Sequence, residues 1–298
     1  MIAPDNAPAT GTDTAPAEAA AAKRTPSRRL RVYRHSATVR VTHWINAVCL
    51  TILLMSGLQI FNAHPALYWG SISEFRHPWL EMYAEQAPDG HTEGFTALFG
   101  RRVDTTGVLG ASRDAAGRTL ARGFPGWATL PSWQSLADGR LWHFFFAWVL
   151  VFSGLAYLVH GAASGHLWRD LVPSRRDLGH LGRAIWDHLR FRFPKGEEAR
   201  HYNVLQKLAY LIVVVGLLPL LVLAGLTMSP RIDAGLPQLL TLFGGRQSAR
   251  TIHFLAAFAL VAFVLIHLFM VLISGVWNNI RSMVTGRYAI EATGDGDD

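Results

Sequence analysis

Five of the thirteen histidines in this 298-residue chain fall inside long apolar runs, and four of them, His43, His143, His253 and His267, form a consistent geometry. An imidazole placed in hydrocarbon is costly, so a functional role is its default reading. His253 and His267 are 14 residues apart. On a helix that spacing returns to within about 40° of the same face and separates the two by roughly 21 Å. One helical face would then offer a nitrogen ligand at each of two depths.

Chain direction supplies the counterparts. With the runs crossing in alternate directions, His143 and His253 meet near the outer surface, and His43 and His267 near the inner one. Haem iron in an electron-transfer site takes axial nitrogens from both sides, and two imidazoles leave no open coordination position. Two pairs imply two haems. Gly57, 14 residues after His43, and Gly154, 11 after His143, lie on the ligands' faces at the opposite depth, where a macrocycle needs clearance. His160 lies off the His143 face and reads as structural.

Zinc is a weaker use of these residues. The i, i+4 spacing of a helical zinc motif is absent, and the four ligands are spread over three runs at two levels. A haem-free alternative remains, in which the same histidines relay protons in a transporter or pack inside a membrane anchor. Against it, the runs lack intramembrane acids, although Pro219 interrupts the third.

The elements that must position these histidines are membrane helices. Half of the residues are hydrophobic and 16% are charged, with a positive mean hydropathy, which is outside the ordinary soluble range. Crossing a hydrocarbon core of ~30 Å takes ~20 helical residues, and four runs qualify: about 41–61, 139–161, 204–228 and 250–276. The expected fold class is an all-α integral membrane protein, a four-transmembrane-helix bundle with a long outer insertion, 62–138, between helices 1 and 2. The di-haem domain spans 31–288. Residues 1–30 read as a disordered cytoplasmic tail and 289–298 as an acidic cytoplasmic tail, and the first 26 show no secretory signal.

Seven Lys and Arg precede the first run and eight lie between the second and third. The positive-inside rule makes both regions cytoplasmic, with both termini inside a bacterial inner membrane. The net charge of +7 is concentrated there, which argues against nucleic-acid binding. Cys49 is the one cysteine, so a Cys-ligated iron–sulfur centre must belong to a partner. The insertion mixes Tyr68, Trp69, Phe75, Trp79, Tyr83, Trp127 and Trp133 with Gly and Pro, and is expected to form short interfacial helices and turns that cap the membrane surface or dock a partner. The basic segment 162–202 is expected to be partly helical around 178–193.

Four motifs carry a family likeness: R-x-T-H-W at Arg40 to Trp44, L-W-H-F-F-F at Leu141 to Phe146, H-Y-N-x-x-Q-K at His201 to Lys207, and H-L-F-M from His267. Over residues 31–288 the chain resembles the b-type cytochrome subunits of formate dehydrogenases, Ni-Fe hydrogenases and thiosulfate reductases, the bacterial cytochrome b561 and Ni-hydrogenase family. The resemblance implies the same ligand pairing that depth gives. It also implies a quinone near the cytoplasmic haem, at Asn203 and Gln206 with Lys207 nearby, and a peripheral redox subunit of molybdopterin, iron–sulfur or hydrogenase type. The chain departs from the formate dehydrogenase subunits at Leu205, where they carry glycine. Arg40 and Arg250, beside His43 and His253, are candidate partners for haem propionates.

Overall fold

The computed structural model describes residues 29–165, 167–168, 172–174, 179, 181–190 and 204–291. Among the described residues four helices are long and apolar enough to span a membrane: α1 (Ala37–Phe61), α2 (Leu136–Ala163), α4 (Val204–Leu226) and α7 (Arg246–Ile273). The short helix α3 (Leu181–Leu189) lies between α2 and α4. Two single-turn helices, α5 (Pro230–Gly235) and α6 (Pro237–Leu242), connect α4 to α7, and α8 (Val276–Thr285) follows the fourth span. Large apolar side chains such as Val159, Leu265 and Ile266 are more than 60% exposed on the spans. Hydrocarbon is the solvent that suits them.

Local chemistry sets the ends of the spans. Ser36 caps α1 by accepting from the Val39 N–H at 3.3 Å. Ser135 caps α2 by accepting from the Asp138 N–H, with Asp138 itself in the first turn, where a carboxylate suits the helix dipole. Within α4, Pro219 has no N–H to donate, and the turn before it widens to a π-helical stretch over Ile212–Leu217, with the Leu218 N–H reaching back to the Val213 carbonyl. Such widening re-satisfies a ladder that proline interrupts. At Gly275, with φ of 104°, the chain leaves α7 and turns into α8. A left-handed residue of this kind strongly favours glycine.

The insertion between α1 and α2 differs from expectation. It is a small β-structure instead of interfacial helices: β2 (Ala66–Leu67), β3 (Leu80–Gln86), β4 (Thr92–Leu98) and β5 (Arg101–Asp104) form an antiparallel sheet in that order, and β6 (Ala111–Arg113) pairs with β7 (Thr119–Ala121). The reason lies in period and turn chemistry. Leu80 and Met82 are buried on either side of the less buried Glu81, the alternation of a half-buried strand. Pro88, Asp89 and Gly90 turn β3 into β4, and Phe99 and Gly100, both with positive φ, make a two-residue turn from β4 to β5, the geometry that tight hairpins need. Beneath the sheet, Phe61, Leu67, Leu80, Met82 and Phe124 form a core joined to the end of α1.

Polar contacts clamp the insertion onto α1 and onto the start of α7. Thr251 donates to the Tyr68 carbonyl at 2.7 Å, Trp79 Nε1 to Thr251 Oγ1 at 3.3 Å, and the Gly70 N–H to Ser248 Oγ at 2.7 Å. The Asn62 side chain both donates to and accepts from the Phe124 backbone. Arg122, 4% exposed, donates to the Ser132 carbonyl, Thr129 Oγ1 and Gln59 Oε1.

At the opposite end of the bundle the chain's two flanks meet. Strand β1 (Arg29–Tyr33) pairs antiparallel with β8 (Arg287–Glu291), from Arg29 with Glu291 to Tyr33 with Arg287. These strands take in residues 29–30 and 289–291, which were expected to belong to the tails. Trp44 Nε1 donates to the Met283 carbonyl at 3.1 Å and tethers α8 to α1.

Candidate haem-binding site

Each of the four histidines sits about two turns inside its helix: His43 from the start of α1, His143 from the start of α2, His253 from the start of α7 and His267 from its end. This symmetry brings them together in two couples. At the insertion end the ring centroids of His143 and His253 are 6.2 Å apart. At the terminal end those of His43 and His267 are 6.5 Å apart. Metal–imidazole nitrogen bonds of about 2 Å place two rings that ligate one metal from opposite sides with centroids about 6 Å apart. Both couples therefore fit a bis-imidazole iron. Among the described residues no group of three or more His, Cys, Asp or Glu side chains could hold a metal ion, so each histidine couple stands apart from any larger donor cluster among them.

At the insertion end the ring nitrogens are oriented by neighbouring oxygens. His143 Nδ1 lies 3.1 Å from Ser56 Oγ, and His253 Nδ1 lies 2.9 Å from the Leu221 carbonyl on α4. Glycines make the space. A β-carbon at Gly57 would sit 3.3 Å from Cε1 of His143, and one at Gly225 would sit 3.2 Å from Cε1 of His253. A β-carbon at Gly154 would meet nothing within 4 Å, so at that depth α2 faces open space. At the terminal end His43 Nδ1, Asn46 Oδ1 and Ser153 Oγ are buried without a hydrogen-bond partner. Phe263 stacks on His267 at 6.0 Å, and Trp44 meets His43 edge-on at 5.2 Å.

Not every residue singled out by sequence takes the expected place. Gly57 works against the His143 ring itself. His160, read as structural, pairs Nε2 with Ser36 Oγ at 3.3 Å and ties the end of α2 to the cap of α1. Arg250 donates to the His64 and Ala66 carbonyls, and Arg40 to the Val284 carbonyl, so both guanidinium groups bind main chain in part. Gln206 and Lys207 lie in the partly buried first turn of α4, whereas Asn203 lies outside the described residues. Sequence reasoning missed Ser56, Gly225 and the Leu221 carbonyl. The signal for Gly225 was a glycine in an otherwise bulky apolar run, but its facing depends on how α4 is rotated against α7.

A profile of the family described as prokaryotic cytochrome b561 matches residues 34–286, which include all four histidines and all four spans. The chain is also 29% identical over 237 residues to YedZ1 of Azospira oryzae, whose name describes a candidate subunit of a protein-methionine-sulfoxide reductase. That match covers 80% of this chain and 89% of the relative.

Proposed function

The chain belongs to the prokaryotic cytochrome b561 family, and from that membership we propose that it is an electron-transferring membrane subunit linking a quinone to a peripheral redox subunit through two haems. One haem would be held by His143 and His253, the other by His43 and His267. The observation that carries this reading is the placement of two histidines on α7, each facing a second histidine at 6.2 Å or 6.5 Å between centroids. Bound haem b supplies one-electron carriage, and two imidazole ligands leave it no axial position for other chemistry.

The chain's own residues do the holding and shielding. Ser56 and the Leu221 carbonyl orient the insertion-end imidazoles, Gly57 and Gly225 admit the rings, and the apolar spans keep water away. The Lys and Arg distribution supports a cytoplasmic location for the terminal end and an outer location for the insertion. The pairing of β1 with β8 supports both ends lying on one face. Quinone would bind near Asn203, Gln206 and Lys207, as the family likeness implies, and the peripheral subunit would dock on the insertion.

The name of the Azospira relative favours a reductive partner, with electrons running outward from quinol. Reducing one sulfoxide to its sulfide takes two electrons and two protons and releases water, which one quinol oxidation balances.

Optical spectra and haem quantitation test the assignment. The purified protein is expected to carry two reducible b haems per chain, with His253→Ala and His267→Ala each removing one. A full-length, folded preparation without a reducible haem signal would favour the transporter or anchor instead. Gln206→Leu is expected to raise the KM for quinol with both haem spectra unchanged.

A further inference from the structure

Ser56 is fully buried on α1, and its Oγ donates to the Ile52 carbonyl at 2.7 Å. A hydroxyl has one proton to give and two lone pairs. With that proton directed at Ile52, the oxygen facing His143 Nδ1 at 3.1 Å accepts, and His143 carries its proton on Nδ1. The Leu221 carbonyl can only accept, so His253 also carries its proton on Nδ1. Both insertion-end imidazoles thus present an unprotonated Nε2 as the ligating atom. At the terminal end His43 Nδ1 is buried with no such acceptor. His143 and His43, the α2 and α1 members of the two couples, are therefore chemically unequal.

We propose that Ser56 is a positioning residue for the insertion-end haem and that its hydrogen bond makes that haem the harder of the two to reduce. The inference rests on the two-haem reading above. An imidazole that donates its outer N–H to an oxygen is a more basic ligand, and a more electron-rich ligand stabilises the oxidised iron. Axial ligation and hydrogen bonding around it are recognised controls of haem potential. Leu221 contributes to His253 through its backbone, as Leu53 does to His143, and neither carbonyl can be removed by substitution, which leaves Ser56 as the side chain that can be altered.

The test is an optical redox titration of the purified holoprotein, comparing wild type with Ser56→Ala and with Ser56→Thr, which keeps the hydroxyl. His253→Ala, retaining only the terminal-end haem, assigns the two potentials. The expected result is an upward shift of the lower potential in Ser56→Ala, with the higher one unmoved and the wild-type value restored in Ser56→Thr. Loss of the insertion-end haem in Ser56→Ala, with retention in Ser56→Thr, also supports the role. Two haems with unshifted potentials in Ser56→Ala would overturn it while leaving the two-haem reading intact. Loss of that haem in both variants would overturn it too, because side-chain volume and not the hydroxyl would then be what matters. A wild-type protein with fewer than two haems would instead remove the two-haem reading itself.

Discussion

Gly225 of α4 and His253 of α7 are in contact, with a β-carbon at Gly225 falling 3.2 Å from the ring's Cε1. That separation is tighter than comfortable packing, so even alanine must displace the imidazole slightly. Gly225→Val is expected to push the ring away from His143 and to lower occupancy of the insertion-end haem while sparing the other. Overpacking of this kind costs about 1–3 kcal/mol. Haem quantitation beside the spectrum of His253→Ala checks it.

Gly154 behaves in the opposite way. Its added β-carbon would meet no atom of the protein within 4 Å, so a larger side chain has room in the polypeptide alone. Gly154→Leu is expected to leave the yield of folded membrane protein unchanged and to reduce terminal-end haem. If the space has no occupant, the variant will match wild type in both respects.

Arg122 holds the insertion to α1. Its guanidinium is buried against Gln59, Thr129 and the Ser132 carbonyl, and burial draws its pKa below the ordinary arginine value. Arg122→Met would leave those acceptors without their donor, a loss of roughly 2–4 kcal/mol. The insertion should become sensitive to protease at temperatures where the haem spectrum is still intact. Equal resistance in the two proteins would show that Arg122 does not anchor it.

Two histidines on the insertion respond to pH in opposite senses. Burial, then the nearby Arg250 charge, pushes His64 below its ordinary value of 6.5. Folding favours the neutral form, so its contribution is complete above about pH 6.5 and is lost as the pH falls through its depressed value. His91 on the β3–β4 turn is raised, first by its hydrogen bond to Asp89 and further by Glu93. Its contribution is complete below about pH 6.5 and is lost as the pH rises through the elevated value. Histidine-selective NMR should give midpoints on the two sides of 6.5, with Asp89→Ala returning His91 toward it; the reverse order would refute both assignments.

The bundle was legible from sequence because a membrane helix needs an unbroken apolar run and because depth is linear in residue number along it. That is why His43, His143, His253 and His267 could be paired before any contact was known. The insertion was harder to read. Its aromatic residues suit a membrane interface as well as a sheet, and they drew attention away from Pro88, Asp89, Gly90 and Gly100, which mark the hairpins. Ser56, Leu221 and Gly225 were out of reach for another reason. Their roles depend on the rotation of one helix against its neighbour, and spacing within a single helix carries no information about that rotation.

The ribbon formed by β1 and β8 has a mechanical consequence. It joins the chain's flanks at the terminal end, so the path of the polypeptide through the four spans is nearly a closed circuit. Because the outermost rung is Arg29 with Glu291 and the innermost is Tyr33 with Arg287, a pull on the two flanks loads one rung at a time. The clasp therefore peels open under tension before any helix is drawn from the bilayer.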